Sequence, residues 1–397
     1  MRAIHGRTLY SKHVKKFLIL TAAFGEGHNA AGRGIRDALR QLAPDAEVEL
    51  RDVFAETFGI LSDLTCRAYL QLINRAPQVW SWLYAAIDER EGVRRALRWL
   101  APARHRLARI IARDEPDVIV PVYPAYAHLL DQILGPARGT RPRRIVCITD
   151  SISVNAVWFR CSADYFLVAN ERTASVLEHA GVPRHRQRVL GFPVSPDFAE
   201  LRSCRPAHPP WRILYMTSNN TSSAAALVQQ LAALPHVKLA VSVGHDEKLR
   251  RKIDSIRNAT TGQFDVLGWT SHLPELLARH HLLITKAGGA TVQEAIAATC
   301  PLIINQIVPG QEEGNAQLVV ETGCGCVALS NAQVLNAVAS AAADNGKTAA
   351  RWSHNIARIS RPGAALDIAE FLLEQCYMPR RAELRSTLSA GTSAAKW

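Results

Sequence analysis

His28 lies in the stretch GEGHNAAG, between an apolar run and a helical pattern. A histidine beside a helix N-terminus sits in a positive dipole field, which disfavours imidazolium and favours the neutral base. That suits a general base, although a loop histidine can equally be inert. The glycines around it allow another chemistry. Gly25-x-Gly27-x-x-Ala30 follows a strand-like run, and Asp52 ends the next such run. This spacing matches a dinucleotide-binding turn whose acidic partner holds a ribose, but it gives the imidazole no task. Asp150, in ITDSISVN, follows a fourth strand-like run and is either a strand-end cap or a second candidate base.

A second set of residues lies beyond position 280. In ITKAGGATVQEAI, Gly288 and Gly289 fall between a strand end and a helix start, where backbone N–H groups can hold a diphosphate. Lys286 precedes them, as a counter-charge for a leaving group or as a solvated lysine. In IVPGQEEGNAQ, Gln311, Glu312, Glu313 and Asn315 crowd the end of the following strand, where open α/β sheets bind ligands. A carboxylate there can accept hydrogen bonds from two ribose hydroxyls. Together these features describe a nucleotide site in the second half of the chain. No DxD-type acidic pair stands at a strand end, so no obligatory metal or other cofactor is expected.

The elements that must position these groups alternate. Strand-like runs are expected at 16–22, 47–52, 117–122, 144–149, 165–169 and 188–191. They begin again at 211–216, 237–243, 264–267, 282–285, 301–306 and 326–328, with helical patterns at 30–42, 223–234 and 292–299 among those between them. This rhythm predicts mostly parallel sheets covered by helices. The proline-rich segment 193–210 reads as a linker. The expected organisation is a first domain at 1–192, a second at 211–378 that the helix-like 367–375 closes, and a tail at 379–397. A helical insertion at 57–113 carries Trp80, Trp82, Tyr84 and Trp99 among many arginines, a mixture that suits an anionic membrane interface or a solvated helical face.

Composition narrows the classes. The chain has 397 residues, 48% of them hydrophobic, enough for two buried cores. Lys and Arg number 47 against 35 Asp and Glu, a net charge of +12 that favours an anionic partner. The eight cysteines form no CxxC pair, which argues against a zinc site and for a reducing compartment. The basic leader and the run 17–24 imitate a secretory signal, yet the run is short and Gly-Glu-Gly-His is a poor cleavage site. No stretch is apolar for long enough to span a membrane as a helix.

Seven stretches in order carry a family resemblance: GEGHNAAG, ITDSISVNAVWF, ADYFLVANERTASVLEHAGVP, VLGFPVSPDF, VLGWTSHLPELL, TKAGGATVQEAI and PGQEEGN. The chain resembles the glycolipid-forming branch of glycosyltransferase family 28, which contains monogalactosyldiacylglycerol synthases and processive diacylglycerol glucosyltransferases. The resemblance implies an α/β architecture of GT-B type, two Rossmann-like domains facing across a cleft. It implies inverting transfer of a hexose from UDP-galactose or UDP-glucose to diacylglycerol or a related lipid. The enzyme would be cytoplasmic and peripheral, on the cytosolic face of an anionic membrane, with no nucleic acid as partner.

On the same resemblance, Gly288, Gly289 and Thr291 stand by the diphosphate and sugar, Glu312 on the ribose, and Gln311 and Asn315 by the donor sugar. Gly268 and Trp269 border the uracil, His28 and Asp150 face the transfer centre, and Gly27 with Trp80, Trp82 and Tyr84 belongs to the acceptor and membrane side. The sequence departs from the family at MTSNNTSS, which lacks the usual glycines and leaves Thr217, Ser218 and Asn219 as substitute donors. It departs again at TDSISVN, which lacks a histidine that often follows. The rival readings are a membrane-binding relative without catalysis, a transferase with a different acceptor, and an NAD-dependent enzyme built on Gly25, Gly27 and Asp52.

Overall fold

The computed structural model describes residues 14–23, 26–59, 98–135, 142–217, 221–259, 264–309 and 311–377. Trp80, Trp82, Tyr84, Gly25, Ser218 and Asn219 lie outside the described residues. Two parallel six-stranded sheets organise the chain. The first contains β1 (Lys16–Leu20), β2 (Glu47–Arg51), β3 (Val118–Pro121), β4 (Arg143–Cys147), β5 (Tyr165–Val168) and β6 (Gln187–Val189), in the order β2-β1-β3-β4-β5-β6. The second contains β7 (Trp211–Met216), β8 (Val237–Ser242), β9 (Asp265–Leu267), β10 (Leu282–Lys286), β11 (Leu302–Gln306) and β12 (Gly325–Val327), in the order β12-β11-β10-β7-β8-β9.

These strands are short apolar runs because a parallel sheet is covered on both faces. Phe17, Leu18, Ile19 and Leu20 are all buried, so the run that imitates a secretory signal is one of the inner strands of the first sheet. The connecting helices are α1 (Glu26–Leu42), α2 (Val53–Phe58), α3 (Ala101–Asp114), α4 (Pro124–Leu134) and α5 (Glu171–His179) in the first half. The second half adds α6 (Thr221–Ala232), α7 (Glu247–Ala259), α8 (Leu273–Arg279), α9 (Gly289–Ala297), α10 (Glu313–Glu321) and α11 (Asn331–Ile359).

Strand order fixes where a ligand can sit. In the first sheet the chain direction of assembly reverses between β1 and β3, and in the second between β7 and β10. Crevices open at such switch points beyond the carboxyl ends of the strands. GEGHNAAG follows β1, and Ala287-Gly288-Gly289 follows β10.

The last helix, α12 (Ala364–Tyr377), departs from the expectation that it closes the second domain. Its buried face, Ala365, Ile368, Ala369, Leu372 and Cys376, shares one apolar cluster with Phe17 and Ile19 of β1 and with Ile35 and Leu39 of α1. Phe371 meets Tyr165 of β5 edge to face, with ring centroids 5.1 Å apart. The first sheet needs a cover on this face, and each large apolar side chain buried there contributes about 1.5–3 kcal/mol. The chain therefore crosses between the halves twice, at 190–210 and again at 360–363. At the crossing Gly191 has φ 96°, and a Cβ there would fall 2.6 Å from the Ala364 Cβ. Glycine alone serves both demands.

Candidate active site

Helix α1 starts at Glu26, four residues before the expected 30, so Gly27 and His28 belong to its first turn rather than to a loop. The imidazole reaches across the switch point. His28 Nδ1 lies 2.9 Å from the Val122 carbonyl oxygen, just past β3, and 3.0 Å from Thr149 Oγ1, just past β4. A carbonyl only accepts, so Nδ1 carries the hydrogen and Nε2 keeps its lone pair. Tyr123 walls the ring edge-on at 5.1 Å, and the Trp158 ring lies 6.0 Å away. Burial pushes the imidazole down to about 4, against the opposing effect of the Val122 bond. The imidazole is therefore held neutral, and the main cause is desolvation rather than the helix dipole.

Asp150 is not the partner of His28. Its Oδ2 accepts from Trp158 Nε1 at 2.7 Å. A backbone carbonyl, not this carboxylate, orients the imidazole. Both groups instead flank the same indole. Burial pushes the Asp150 carboxyl up to about 6, with the indole bond opposing.

Asp52 has work of its own. Its Oδ1 caps α2 by accepting from Ala55 N, and its Oδ2 accepts from Ala23 N at 2.8 Å. A carboxylate with both oxygens held this way explains the pattern that imitates a dinucleotide site. The acid ties the loop after β1 to the start of α2.

On the second sheet, Gly288 caps α9 without a side-chain hydrogen bond, leaving the first amides of that helix to a ligand. Lys286 Nζ donates to Glu312 Oε1 at 2.8 Å, and Val308 N donates to Glu312 Oε2 at 3.0 Å. Asn315 Nδ2 donates to the Ala287 carbonyl at 3.0 Å. Its Oδ1 is buried without a hydrogen-bond partner among the described residues, an acceptor that a sugar hydroxyl would satisfy. Thr291 sits in the first turn of α9, and Gln311 directly precedes Glu312.

The two half-sites meet. A Cβ on Gly289 would lie 3.4 Å from the Thr149 carbonyl and 3.6 Å from Asn315 Nδ2, and one on Gly27 would lie 3.9 Å from Ala290 N. The structure thus gathers Gly27, His28, Asp150, Lys286, Gly288, Gly289, Glu312 and Asn315 around the facing starts of α1 and α9. Trp269 is set apart. It follows β9, three strands from β10, or roughly 14 Å at the usual strand spacing. It is 58% exposed and stacks on His245 with centroids 5.8 Å apart, while Gly268 leaves room for Arg250. Thr217 Oγ1 donates to the Ser242 carbonyl at 3.1 Å, so this hydroxyl braces β8.

Sequence reasoning missed Glu294. It lies on α9, where Arg33 and Glu26 of α1 act on it electrostatically, and burial pushes its carboxyl up to about 7. In GGATVQEAI it reads as a polar helix position, and only the docking of α1 against α9 buries it. Because the folded-state value stands above the ordinary 4.5, ionising Glu294 works against folding as pH rises through that window. Glu294→Gln is therefore expected to gain stability over wild type between about pH 5 and about pH 8, by at most ~3 kcal/mol. Urea midpoints at both pH values check this, and an offset independent of pH contradicts it.

Two family models match successive parts of the chain. The first, "Monogalactosyldiacylglycerol (MGDG) synthase", matches residues 28–194, and the second, "Glycosyltransferase family 28 C-terminal domain", matches residues 219–364. The chain belongs to glycosyltransferase family 28. This family 28 chain is 24% identical over 388 residues to a processive diacylglycerol beta-glucosyltransferase of Bacillus subtilis, covering 94% of the chain and 99% of the relative. It is 22% identical to the protein of the same description from Bacillus cytotoxicus, covering 91% and 94%. Among solved structures, Anabaena HepE in complex with UDP-glucose superposes with a TM-score of 0.53 at 14% identity, covering 90% of this chain and 98% of that one. The UDP-GlcNAc 2-epimerase of Neisseria meningitidis, bound to UDP-GlcNAc, gives 0.57 at 11% identity, covering 90% and 100%. The family 28 chain has the GT-B fold, as its paired parallel sheets indicate.

Proposed function

We propose that this family 28 protein is a UDP-sugar-dependent hexosyltransferase that moves glucose or galactose to a lipid hydroxyl, with diacylglycerol as the first candidate acceptor. The observation that carries the reading is the meeting of the α1 start, with its neutral imidazole, and the α9 start, with its free amides. In this reading His28 Nε2 takes the proton of the acceptor hydroxyl. The acceptor oxygen attacks the anomeric carbon as the bond to the diphosphate breaks, and the electron pair leaves with UDP. The α9 amides and Lys286 meet that charge without calling on a metal. Glu312 holds the ribose, Gln311, Thr291 and Asn315 face the sugar, and Gly268 with Trp269 borders the base. Attack opposite the leaving group inverts the anomeric centre, which agrees with the beta-linked product in the names of the relatives.

The first half, 1–192, is proposed to meet the acceptor at the cytosolic face of a membrane, and 211–378 to carry the donor site. Among the described residues no helix is long and apolar enough to cross a membrane. Trp99 is 82% exposed next to α3, which presents Arg104, Arg106, Arg109 and Arg113, and the whole chain carries +12. An aromatic side chain beside clustered arginines suits an anionic lipid surface.

The test is a panel of UDP-sugars against lipid acceptors, read by UDP release and by the glycolipid formed, with co-sedimentation on anionic vesicles. Transfer from UDP-glucose or UDP-galactose to diacylglycerol and salt-sensitive sedimentation are expected. Transfer only to another acceptor moves the substrate assignment. No turnover and no UDP binding favours a membrane-binding relative that has lost catalysis, and NADH binding would revive the dinucleotide reading.

A further inference from the structure

The loop that carries Asp150 turns sharply one residue later. Ser153 N donates to the Ser151 carbonyl at 2.7 Å and closes a three-residue turn around Ile152, whose φ is 61°. Turns of this hand are rare and strained, and a β-branched residue at positive φ is an outlier. Such a conformation persists only where its surroundings over-determine it.

Here both halves of the molecule do so. From the first, Ile152 N donates to Thr173 Oγ1 at 3.0 Å, and Asn170 Nδ2 donates to Ser151 Oγ at 2.8 Å. The half-buried Ile152 side chain packs on an apolar cluster that spans both halves, with Ala31, Ala169 and Phe192 from the first and Ala290, Val292 and Ala316 from the second. Gly314, in the first turn of α10, lies directly on the turn. A Cβ there would overlap the Ser151 carbonyl oxygen and come 2.7 Å from Ser153 N. Arg172 of α5 and Glu321 of α10 form an ion pair across the same seam. The strained turn thus joins the residue after Asp150 to the helix start that carries Glu312 and Asn315.

We propose that the Ser151–Ser153 turn is a strut between the half-sites, and that Gly314 and Ile152 are positioning residues that hold Asp150 at a set distance from the donor-binding helix starts. The proposal rests on the glycosyl-transfer reading. Gly314 admits the turn, because any side chain would push α10 and its donor contacts away from Asp150. Ile152 anchors the turn by packing its side chain on the apolar cluster that both halves build.

The test uses the full chain, with UDP-glucose and diacylglycerol in detergent micelles, and compares wild type with Gly314→Ala and Ile152→Gly. A misplacement of about 1 Å between reacting groups costs about 10²-fold in rate. Gly314→Ala is expected to lower kcat by about that factor, with the Kd for UDP changed by less than about threefold. Ile152→Gly keeps the backbone conformation and loses the anchor, so kcat is expected to fall about tenfold with the same split. In both variants hydrogen exchange at 151–153 should speed up while the rest of the first sheet keeps its protection. Wild-type kcat in Gly314→Ala overturns the strut, as does a loss of UDP affinity and thermal stability in step with kcat, which marks a mere packing site. A wild-type protein that transfers nothing strikes the underlying reading instead. The exchange measurement then still decides, since unchanged exchange at 151–153 in Gly314→Ala overturns the strut without any turnover.

Discussion

His28→Ala is expected to lower kcat by about 10²–10⁴-fold while leaving the Kd for UDP within about threefold of wild type. The expectation follows from where the imidazole is held. Nδ1 is occupied by the Val122 carbonyl, so the side chain has one free basic atom, and its neighbours are Thr149, Tyr123 and Trp158 rather than the α9 start. With its value pushed down to about 4, the ring is neutral at ordinary pH and available as an acceptor of protons. A base that weak gains strength when an anion arrives. The donor diphosphate, and the Asp150 carboxylate once it ionises above about 6, both favour the imidazolium that forms during transfer. Steady-state kinetics and calorimetric titration with UDP separate the two outcomes. If UDP affinity collapses while the residual rate at saturating donor stays high, His28 is a donor ligand and the base assignment fails. Wild type should also lose kcat/KM as pH falls towards about 4, the limb that belongs to His28, and the variant should lack it.

Glu312→Ala is expected to do the reverse. A carboxylate that accepts from ribose hydroxyls contributes about 1.5–3 kcal/mol through each charge-assisted bond, so UDP affinity should fall about 10–100-fold. At saturating donor, kcat should change by less than about fivefold, because Glu312 does not touch the acceptor side. The substitution also strips Lys286 and the Val308 amide of their shared partner, so some thermal stability goes with it. Glu312→Gln separates the two effects, since an amide oxygen can still accept from Val308 while the charge that faces Lys286 is gone. Calorimetry decides. Unchanged UDP affinity in Glu312→Ala makes this residue a clamp for the Lys286–Val308 corner and passes the ribose role to another carboxylate, with Glu294 the next to test.

Much of the fold was legible in the residues because parallel strands buried on both faces are written as short apolar runs. The runs at 16–22 and 282–285 are examples, and each overlaps a strand of the structure within a residue or two. The start of α1 was less legible, since a glycine-rich stretch favours a turn in isolation, whereas Glu26, Gly27 and His28 form the first turn of a helix that docks against α9. The helix start at Gly288–Gly289 and the strand end before Gln311–Asn315 could be read because both are local features. The first-half site could not be read to the same depth. The group that orients His28 is a backbone carbonyl almost a hundred residues away, and backbone acceptors leave no trace in residue type. Asp150 finds its partner in Trp158, eight residues on, through a turn that brings an indole back to the strand end. The home of α12 was misread for a related reason: an apolar helix face announces that it will be covered, without naming what covers it.

That last helix has a consequence for how the molecule is made. β1 and α1 leave the ribosome well before α12, yet the face formed by Phe17, Ile19, Ile35 and Leu39 receives Ile368 and Leu372 only after all the strands of the second sheet have been made. Between those two moments the whole second sheet is synthesised and can fold on its own local contacts. The first sheet is therefore begun before the second and finished after it, and the act that completes its core also draws the second half into register against it.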